Sequence, residues 1–388
     1  MTYTACIDRL QQQAIKKGID YSLDRLQAVL DTLGNPQLHL SNVVHVAGTN
    51  GKGSTVAFIQ SIAAQARLSV ATFTSPHLES YCERISVNQQ AISEDTFSAL
   101  FNQVAPFLDQ GLTEFECLTV MAMIHFSAIQ PDITVLEVGL GGRLDATNIV
   151  IPAVSVITKI DIDHQAFLGN TISAIAAEKA GIIKSKVPVI TVADQAAAAK
   201  EVITHVAEKK QAPLTVVNPI SLPANRALQG EHQRYNAALA VAAARQIIPE
   251  LDDDLIRVGL QRANHWGRCT VCKVGNTTYV IDAAHNEAGV KALTTFLSEQ
   301  FPNHSKTLVF GLHKAKDVRA MTTSLLSLAQ HHYYCEFDTH WAASFDSVQA
   351  CTDSSLTPFR LGDSLPEDEV VVLTGSIYFI GEIKQVLT

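Results

Sequence analysis

One stretch limits the folds open to this chain more than any other. Residues 43–55 read Val-Val-His-Val-Ala-Gly-Thr-Asn-Gly-Lys-Gly-Ser-Thr, an apolar, β-branched run that leads into glycines and then into a run compatible with a helix. Glycines let successive backbone N–H groups point inward, a helix N-terminus adds partial positive charge, and a lysine can reach phosphate oxygens. The pattern therefore predicts a strand, a phosphate-binding loop and a helix.

The spacing of this loop differs from that of the common nucleotide-binding loop. That loop has four residues between its first glycine and its Gly-Lys pair. Here Gly48 and Gly51 enclose only two residues, and Gly53 is inserted before the hydroxyl of Ser54. The alternative is a glycine-rich turn with an incidental lysine. The strand and helix patterns on either side favour phosphate binding.

The composition excludes several classes of protein. Of 388 residues, 47% are hydrophobic and 17% are charged, which fits neither a disordered chain nor a membrane protein. The formal net charge is −9 and no basic run exceeds Lys-Lys, so we expect no nucleic-acid partner, because phosphate-backbone contacts need clustered basic side chains. Residues 1–18 lack the apolar core of a signal peptide, and no apolar run approaches membrane-spanning length. We therefore expect a cytoplasmic protein without a membrane partner.

The cysteines give no disulfide framework. There are seven, an odd number scattered through a long chain, which agrees with a reducing compartment. Cys269 and Cys272 form a Cys-x-x-Cys pair in an alternating, strand-like run. Residues three apart on a strand face opposite ways, and a second ligand pair is absent, so zinc or redox chemistry here is the weaker interpretation.

Strand and helix patterns alternate along the chain. After the loop, strands are predicted at 70–73, 133–138, 154–160 and 187–192, with a hairpin arm at 81–88. Helices are predicted at 20–33, 54–66, 93–108, 114–129, 173–181, 235–248 and 252–262. This order favours an α/β fold with a mostly parallel sheet and helices on both faces.

A fresh alternation begins after residue 264. It predicts strands at 278–281, 307–310, 332–336 and 370–373, helices at 287–300 and 317–329, and a last helix at the end. We therefore expect two domains, with the division near residue 265. Residues 1–264 would form a large P-loop ATPase-type domain, and residues 265–388 a smaller, Rossmann-like α/β domain.

Several polar groups fall at the carboxyl ends of predicted strands, where ligands gather in such sheets. They are Gly48 to Ser54, Ser75, Glu137 and His164. A buried carboxylate such as Glu137 is costly unless it is paired or binds a metal, and the imidazole of His164 can bind a divalent metal. A solvated loop histidine is the alternative for His164. Asp282 to Asn286 forms a similar cluster in the second domain, which suggests an active site between the domains.

Two further motifs allow other interpretations. Gly139-Leu140-Gly141-Gly142 superficially fits a dinucleotide fingerprint, but the third glycine is misplaced and no helix pattern follows. Thr158-Lys159-Ile160-Asp161 resembles the guanine-reading element of GTPases. The spacing of the phosphate loop and the residues after Glu137 speak against a GTPase.

Ordered motifs over nearly the whole chain identify a family. They lie at 47–54, 75–78, 83–85, 113–116, 136–148, 163–164, 178–181, 230–233, 236–238, 282–286 and 374–376. Together they resemble folylpolyglutamate synthases and dihydrofolate synthases, members of the muramyl-ligase superfamily of ATP-dependent amide-bond ligases. The inserted Gly53 is a feature of that superfamily.

The resemblance implies an ATP site with magnesium. The residues implied to hold the ATP phosphates are Thr49, Asn50, Gly51, Lys52, Gly53 and Ser54. Those that resemble adenine, phosphate and ribose contacts are Asn236, Arg268 and Asp282. Ser75, Glu137 and His164 look like magnesium ligands, and Lys179 takes the place of a lysine that the family carries as a carbamate beside a second magnesium ion.

The resemblance also implies a pteroate site and a glutamate side. The residues that lie where the family holds the pterin substrate are Leu23, Asp24, Arg25, Thr113, Leu144, Asp145 and Ala146. His285 and Ser376 would lie where glutamate arrives, and the catalytic residues would be Lys52, Lys179 and His285. Trp266 and Glu287 depart from the family pattern, which has proline at both positions.

The reaction implied is ATP-dependent ligation of L-glutamate to dihydropteroate, to reduced folates, or to both, through an acyl phosphate. A monomer is expected. Residues near Arg25 and Thr113 favour the form with both activities over a folylpolyglutamate synthase alone. More remote alternatives are a cell-wall ligase and a regulatory nucleotide-binding switch that uses residues 158–161.

Overall fold

Two units, each with its own sheet, make up the chain. The computed structural model describes residues 1–18, 20, 22–224, 226–337, 341–364 and 369–387. The first unit comprises Met1–Pro223 with Tyr235–Ala263, and the second comprises Ala224–Arg234 with Asn264–Thr388. The expected division at 264/265 assigns 224–234 to the first domain, whereas the structure places this segment with the second unit.

The first unit is built on an eight-stranded sheet. Its strands are β1 (Val43–Ala47), β2 (Val70–Phe73), β3 (Ile85–Val87), β4 (Gln90–Ala91), β5 (Ile133–Glu137), β6 (Val154–Ile157), β7 (Val189–Val192) and β8 (Leu214–Val217). Their order is β4-β3-β2-β5-β1-β6-β7-β8. The six strands from β2 to β8 in this order run parallel to one another. Strand β3 pairs antiparallel with β2, and β4 pairs antiparallel with β3. The carboxyl ends of β1, β2, β5 and β6 therefore meet along one edge.

Ten α-helices belong wholly or mainly to this unit among its described residues. They are α1 (Tyr3–Lys17), α2 (Leu23–Thr32), α3 (Lys52–Gln65), α4 (Glu94–Leu108), α5 (Glu114–Ile129), α6 (Gln165–Leu168), α7 (Ile172–Ala180), α8 (Ala197–Lys209), α9 (Gln233–Ile247) and α10 (Asp253–Arg262). Short 3₁₀ turns occupy 36–39, 81–84 and 146–149. One apolar core collects side chains of α1, α2, α4 and α5, and another collects those of α7 and α8.

The second unit has a six-stranded sheet in the order β13-β12-β11-β14-β10-β9. Its strands are β9 (Thr270–Val274), β10 (Thr277–Ile281), β11 (Lys306–Phe310), β12 (His331–Cys335), β13 (Thr357–Phe359) and β14 (Val370–Thr374), and its helices are α11 (Glu287–Gln300), α12 (Val318–Leu326), α13 (Phe345–Gln349) and α14 (Ile377–Leu387). All neighbours are parallel except β9, which pairs antiparallel with β10. The expected α/β class is confirmed for both units.

The sequence patterns placed most elements within a few residues of their observed bounds. The predicted strand at 154–160 ends at Ile157, and the predicted arm at 81–88 begins as a 3₁₀ turn with only 85–87 in a strand. Helices α1 and α8 and strand β8 were not predicted. Helix α1 has a weak apolar signal, since only Cys6, Leu10 and Gln13 of its residues are buried and most of the others are polar, charged or exposed. No helix among the described residues is long and apolar enough to cross a membrane.

Helix α3 lies at the centre of the first unit and is buried on nearly every side. Ten of its residues, from Gly53 to Ala63, are buried, which agrees with a sequence that is apolar all round. Helix α10 packs closely on it at Gly259, whose carbonyl accepts a hydrogen bond of 2.7 Å from Ser61 Oγ. A Cβ added at Gly259 would lie 2.6 Å from the Cα of Ile62, so the two backbones approach too closely for any side chain.

We expect Gly259→Ala to lower the stability of the first unit. Alanine favours a helix by about 1 kcal/mol over glycine, but overpacking against backbone costs typically about 1–3 kcal/mol and cannot be relieved by a rotamer change. The apparent Tm followed by circular dichroism should therefore fall. Arg257→Ala is the matched control, because its side chain on the same helix is 59% exposed and its ion pair with Asp254 is a surface pair. A Tm at or above that of the wild type in Gly259→Ala would contradict the close packing.

Candidate functional site

The loop between β1 and α3 depends on two glycines with positive φ. Gly48 has φ of 151° and Gly51 has φ of 91°. A Cβ added at Gly48 would lie 1.7 Å from Thr158 Oγ1, and one added at Gly51 would lie 2.2 Å from Asn236 Oδ1. The glycines thus allow the loop backbone to lie directly on two neighbouring side chains, and they bring Asn236 of α9 beside the loop.

The segment 158–161, which follows β6, holds the loop by hydrogen bonds. The Lys159 carbonyl accepts from Thr49 N at 2.9 Å and Asn50 N at 3.3 Å. Thr158 Oγ1 donates to the Asn50 carbonyl at 2.7 Å. Thr49 Oγ1 donates to the Asp161 carbonyl at 3.0 Å and accepts from Asp161 N at 3.1 Å. The hydroxyl of Thr158 and the backbone groups of Lys159 and Asp161 therefore support the loop, a role other than guanine reading.

Lys52 is the first residue of α3, and its side chain folds back over the loop. Its Nζ donates to the carbonyls of Gly48 at 3.2 Å and Thr49 at 3.5 Å. The same Nζ lies 4.0 Å from Oε1 of Glu137. Gly53 and Ser54 lie buried in the first turn of α3. A lysine at the N-terminus of a helix, beside backbone N–H groups, can neutralise phosphate oxygens.

Glu137 ends β5, and Ser75 follows the neighbouring strand β2. The Glu137 carboxylate is 5% exposed and accepts from Ser75 N at 3.4 Å. His164 stands at the start of α6 with φ of 50°, and its Nε2 lies 3.8 Å from Oδ2 of Asp163. No three His, Cys, Asp or Glu side chains converge into a metal-sized cluster in the part of the chain that the structure describes. The structure thus joins Ser75 to Glu137 by a hydrogen bond, while the magnesium site of Ser75, Glu137 and His164 stays a prediction.

Lys179 approaches the loop from α7. It is 4% exposed, and its Nζ donates to the Gly48 carbonyl at 2.9 Å. Burial lowers the pKa of Lys179 to about 7, the positive charge of Lys52 acts in the same direction, and Asp163 and Asp145 oppose it. A large share of this amine is therefore neutral and nucleophilic near neutral pH.

Asp145 organises the loop that follows β5. Its carboxylate accepts from the backbone N–H groups of Gly139 at 3.0 Å, Leu140 at 2.9 Å and Thr147 at 2.9 Å. Burial raises the pKa of Asp145, and these hydrogen bonds oppose the rise. The loop continues into a 3₁₀ turn at 146–149 instead of a long helix, which argues against the dinucleotide interpretation of residues 139–142. Leu144 and Ala146 flank Asp145, so this predicted trio lies on one ordered turn.

Arg25 and Thr113, both predicted to contact pteroate, are joined by Glu116. Arg25 NH2 lies 2.8 Å from each carboxylate oxygen of Glu116, and its NH1 lies 2.7 Å from Asp20. The Glu116 carboxylate accepts from Thr113 N at 2.7 Å, and Thr113 Oγ1 accepts from Glu116 N at 3.2 Å. Leu23 and Asp24 precede Arg25 in the first turn of α2. Glu116 was given no role from the sequence, although Thr-x-x-Glu before an apolar run is a capping-box signal.

In the second unit, Asp282 follows β10 and holds the turn that carries Arg268. Its carboxylate accepts from Cys269 N at 2.7 Å and from Cys269 Sγ at 3.4 Å. Burial raises the pKa of the Cys269 thiol well above its usual range, and Asp282 adds to this. Cys269 is therefore a neutral hydrogen-bond donor, which argues against zinc or redox use of the Cys-x-x-Cys pair. Trp266 lies just before this turn, where Gly267 has φ of 76°.

The remaining predicted residues of the second unit lie at the ends of neighbouring strands. His285 Nδ1 lies 2.9 Å from the Ala283 carbonyl, after β10. Ser376 follows β14, and its Oγ accepts from Tyr378 N at 3.3 Å. Asn286 caps α11 by accepting from Gly289 N at 2.8 Å, and Glu287 is the first residue of that helix. An acidic residue suits a helix N-terminus, as proline does, so replacing the family's proline by Glu287 is compatible with the helix start.

Several known proteins are similar to this chain. The Mur ligase middle domain matches residues 46–215, which contain the phosphate loop, Glu137 and Lys179. A dihydrofolate synthase/folylpolyglutamate synthase of Bacillus subtilis is 37% identical over 96% of both chains. A Mycobacterium tuberculosis protein with the same description is 33% identical and covers 97% of this chain and 92% of its own.

Solved structures match over the full length. The structure of E. coli FolC in complex with DHPP and ADP has a TM-score of 0.88 and 29% identity, and it covers 100% of this chain and 98% of its own. A folylpolyglutamate synthase of Mycobacterium tuberculosis complexed with ADP and AMPPCP also has a TM-score of 0.88, with 28% identity and 98% coverage of both chains. From the site and these matches, we conclude that the chain belongs to the dihydrofolate synthase/folylpolyglutamate synthase family of ATP-dependent ligases.

Proposed function

We propose that this enzyme joins L-glutamate to dihydropteroate, to reduced folates, or to both, and uses ATP to form an acyl phosphate first. The observation that carries the proposal is the convergence of Lys52, Glu137 and Lys179 on the loop at 48–54. Two lysines and one carboxylate, all largely buried, surround a backbone whose N–H groups can bind phosphate oxygens. The names of the relatives, with DHPP and ADP bound in the E. coli structure, support the choice of substrates.

The first step would transfer a phosphoryl group to the pteroate carboxylate. A carboxylate is a poor electrophile at neutral pH, so the bond from its oxygen to the γ-phosphorus is formed as the bond to ADP breaks. The N–H groups of residues 49–54 and the ammonium of Lys52 would bind the phosphate oxygens and stabilise the charge that builds up on them. Lys52 would exchange its contacts with the Gly48 and Thr49 carbonyls for contacts with phosphate.

The second step would be attack by the amine of L-glutamate on the acyl phosphate. The new amide bond forms at the carbonyl carbon, inorganic phosphate leaves, and the amine loses a proton. We assign His285 and Ser376 to the glutamate side on the family resemblance. Their positions at the ends of β10 and β14 support this, because ligands gather at such strand ends. We also propose that His285 accepts the proton that the amine loses.

Magnesium fits the donors on the ATP side. Ser75, Glu137 and His164 would hold it, since a buried carboxylate next to a hydroxyl is a hard oxygen site. When bound, magnesium would neutralise charge on the phosphate oxygens. Asn236 would contact the nucleotide beside Gly51, and Arg268 and Asp282 are assigned to ATP on the family resemblance alone.

The pteroate side would use the turn at 23–25, Thr113 and the turn at 144–146. Arg25 is fixed by a bidentate pair with Glu116, so its guanidinium is positioned before substrate arrives. Glu116 also caps α5 at Thr113 and therefore ties two of these segments together. We infer that Glu116 sets the shape of this side without itself being part of the reaction.

We also propose that Lys179 carries a carbamate in the active enzyme. Only a neutral amine attacks carbon dioxide, and burial beside Lys52 favours the neutral form of Lys179. The amine nitrogen bonds to the carbon of carbon dioxide and releases one proton, which gives a carboxylate facing the ammonium of Lys52. The positive charge of Lys52 would compensate the negative charge of the carbamate. The carbamate oxygens would also supply an additional ligand for magnesium near the loop.

The function is tested by ADP release with ATP, magnesium and L-glutamate, with dihydropteroate and tetrahydrofolate offered separately. We expect glutamate-dependent ADP release with at least one of the two acceptors, and the pair of rates decides between one activity and both. Lys52→Ala and Glu137→Ala should lower the rate by at least about a hundredfold, the size typical of losing one charge-stabilising group.

The control variants for this test are Lys200→Ala and Glu201→Ala. Both side chains are exposed on α8, and each change removes the same charge as one of the site variants. They should keep wild-type rates. Near-wild-type turnover in Lys52→Ala or Glu137→Ala, with unchanged circular dichroism, would exclude the proposed mechanism. A rate of ADP release that does not depend on glutamate would favour a nucleotide-binding switch.

The carbamate is tested with ¹³C-labelled bicarbonate. The wild-type protein should show a ¹³C carbamate resonance, and Lys179→Arg, which keeps the charge but stays protonated, should not. Removal of carbon dioxide should lower the rate of the wild type reversibly. A wild-type spectrum without the resonance, at a bicarbonate concentration that supports full activity, would rule the modification out.

The lowered pKa of Lys179 predicts a pH effect on stability in the absence of carbon dioxide. Above its unfolded pKa of about 10.4 the amine is neutral in both states, and the burial penalty appears as pH falls towards the folded pKa of about 7. The free energy of unfolding should therefore rise between about pH 7 and 10, by at most about 1.4 kcal/mol per pH unit from this group. Urea unfolding of the wild type and Lys179→Met should show this slope only in the wild type, and equal slopes would mean that the amine stays charged.

A further inference from the structure

We propose that Gln195 is a positioning residue for the phosphate loop and acts through the segment 158–161. The inference rests on the proposed function, because it takes the ligand of the loop to be ATP. Gln195 lies in the turn between β7 and α8 and stood in no motif of the sequence. It carries no charge, and its side chain touches the loop only through other residues.

Both the oxygen and the nitrogen of the Gln195 carboxamide form hydrogen bonds. The residue is 8% exposed, and its Oε1 accepts from Ile160 N at 3.0 Å. Its Nε2 donates to the Thr158 carbonyl at 2.8 Å and to Thr191 Oγ1 at 3.1 Å. Gln195 therefore holds the backbone on each side of Lys159.

The sheet does not supply these hydrogen bonds. Strand β6 ends at Ile157, whose pairing with Thr191 is the last between β6 and β7. The backbone of 158–160 continues beyond this pairing, and buried backbone groups need partners. The Gln195 side chain takes the place that the next strand residues would occupy.

Gln195 positions the carbonyl group that accepts hydrogen bonds from the phosphate loop. The Lys159 carbonyl receives the N–H groups of Thr49 and Asn50 at 2.9 and 3.3 Å. Since Thr158 and Ile160 are both fixed by one carboxamide, the direction of the carbonyl between them is fixed as well. The path from Gln195 to the loop thus consists of two side-chain hydrogen bonds to backbone groups, the two peptide units that flank Lys159, and the two hydrogen bonds that the Lys159 carbonyl accepts.

The side chain of Lys159 takes no part in this path. Its Nζ lies 2.7 Å from Oδ2 of Asp194, and both side chains are more than one-third exposed. Asp194→Asn therefore removes an ion pair in the same turn without touching the carboxamide of Gln195. It is the matched control.

The test is calorimetric titration of the full-length protein with ADP and magnesium. Gln195→Glu is nearly isosteric and keeps the acceptor for Ile160 N, but its carboxylate cannot donate to the Thr158 carbonyl. We expect ADP binding to weaken by about tenfold, the effect of one buried unsatisfied group, with the affinity for dihydropteroate unchanged. Gln195→Met, which keeps the shape without either polar group, should weaken ADP binding at least as much, and Asp194→Asn should leave it unchanged.

The pH dependence distinguishes positioning from general destabilisation. A protonated carboxyl at 195 regains one O–H donor for the Thr158 carbonyl, and burial favours that protonated form. The ratio of ADP dissociation constants, Gln195→Glu over wild type, should therefore shrink as pH falls from about 8 to about 6. A ratio that stays constant would contradict the role of the lost donor.

Two outcomes overturn the inference in different ways. The positioning role would be wrong if folded Gln195→Glu and Gln195→Met bound ADP as tightly as the wild type does. It would also be wrong if the affinities for ADP and dihydropteroate fell together. Either result would leave the proposed function standing. Failure of the wild type to bind ADP would remove both, because the role of Gln195 is defined by the hold of the loop on phosphate.

Discussion

The close approach of the phosphate-loop backbone to two neighbouring side chains is the constraint on which the rest of the site depends. Gly48 and Gly51 lie so near Thr158 and Asn236 that no Cβ fits at either position. This approach lets the N–H groups of Thr49 and Asn50 reach the Lys159 carbonyl. The carbonyl of Gly48 in the same loop accepts hydrogen bonds from the amines of both Lys52 and Lys179.

The charges around the loop balance each other. Lys52 and Lys179 both donate to the Gly48 carbonyl; burial lowers the pKa of Lys179, and the nearby charge of Lys52 acts in the same direction. Glu137 compensates Lys52 at 4.0 Å. Two residues of the same type therefore differ in their surroundings: Lys179 is buried and its pKa is lowered to about 7, whereas Lys52 lies beside the carboxylate of Glu137.

The sequence predicted those parts of the site that need a particular residue type at a particular strand end. The glycines, Lys52 and Glu137 belong to this group, because positive φ, a cation and a buried carboxylate each leave a visible signal. Gln195 left none, since it binds backbone groups, and many polar residues can do so. The placement of 224–234 in the second unit was missed for a similar reason, because it depends on contacts distant in sequence.

A residue that fits a functional motif can also have a structural role. Thr158 to Asp161 fits a guanine-reading pattern, yet its hydroxyl and backbone groups support the phosphate loop from the adjacent strand end. Asp145 fits a substrate-binding position, yet its carboxylate already accepts three backbone N–H groups of its own loop. Any contact of Asp145 with pteroate would therefore have to use the remaining lone pairs of a carboxylate that is already committed. The more direct contribution of Asp145 is to hold the turn that carries its neighbours Leu144 and Ala146, because its hydrogen bonds join residues 139, 140 and 147 around them.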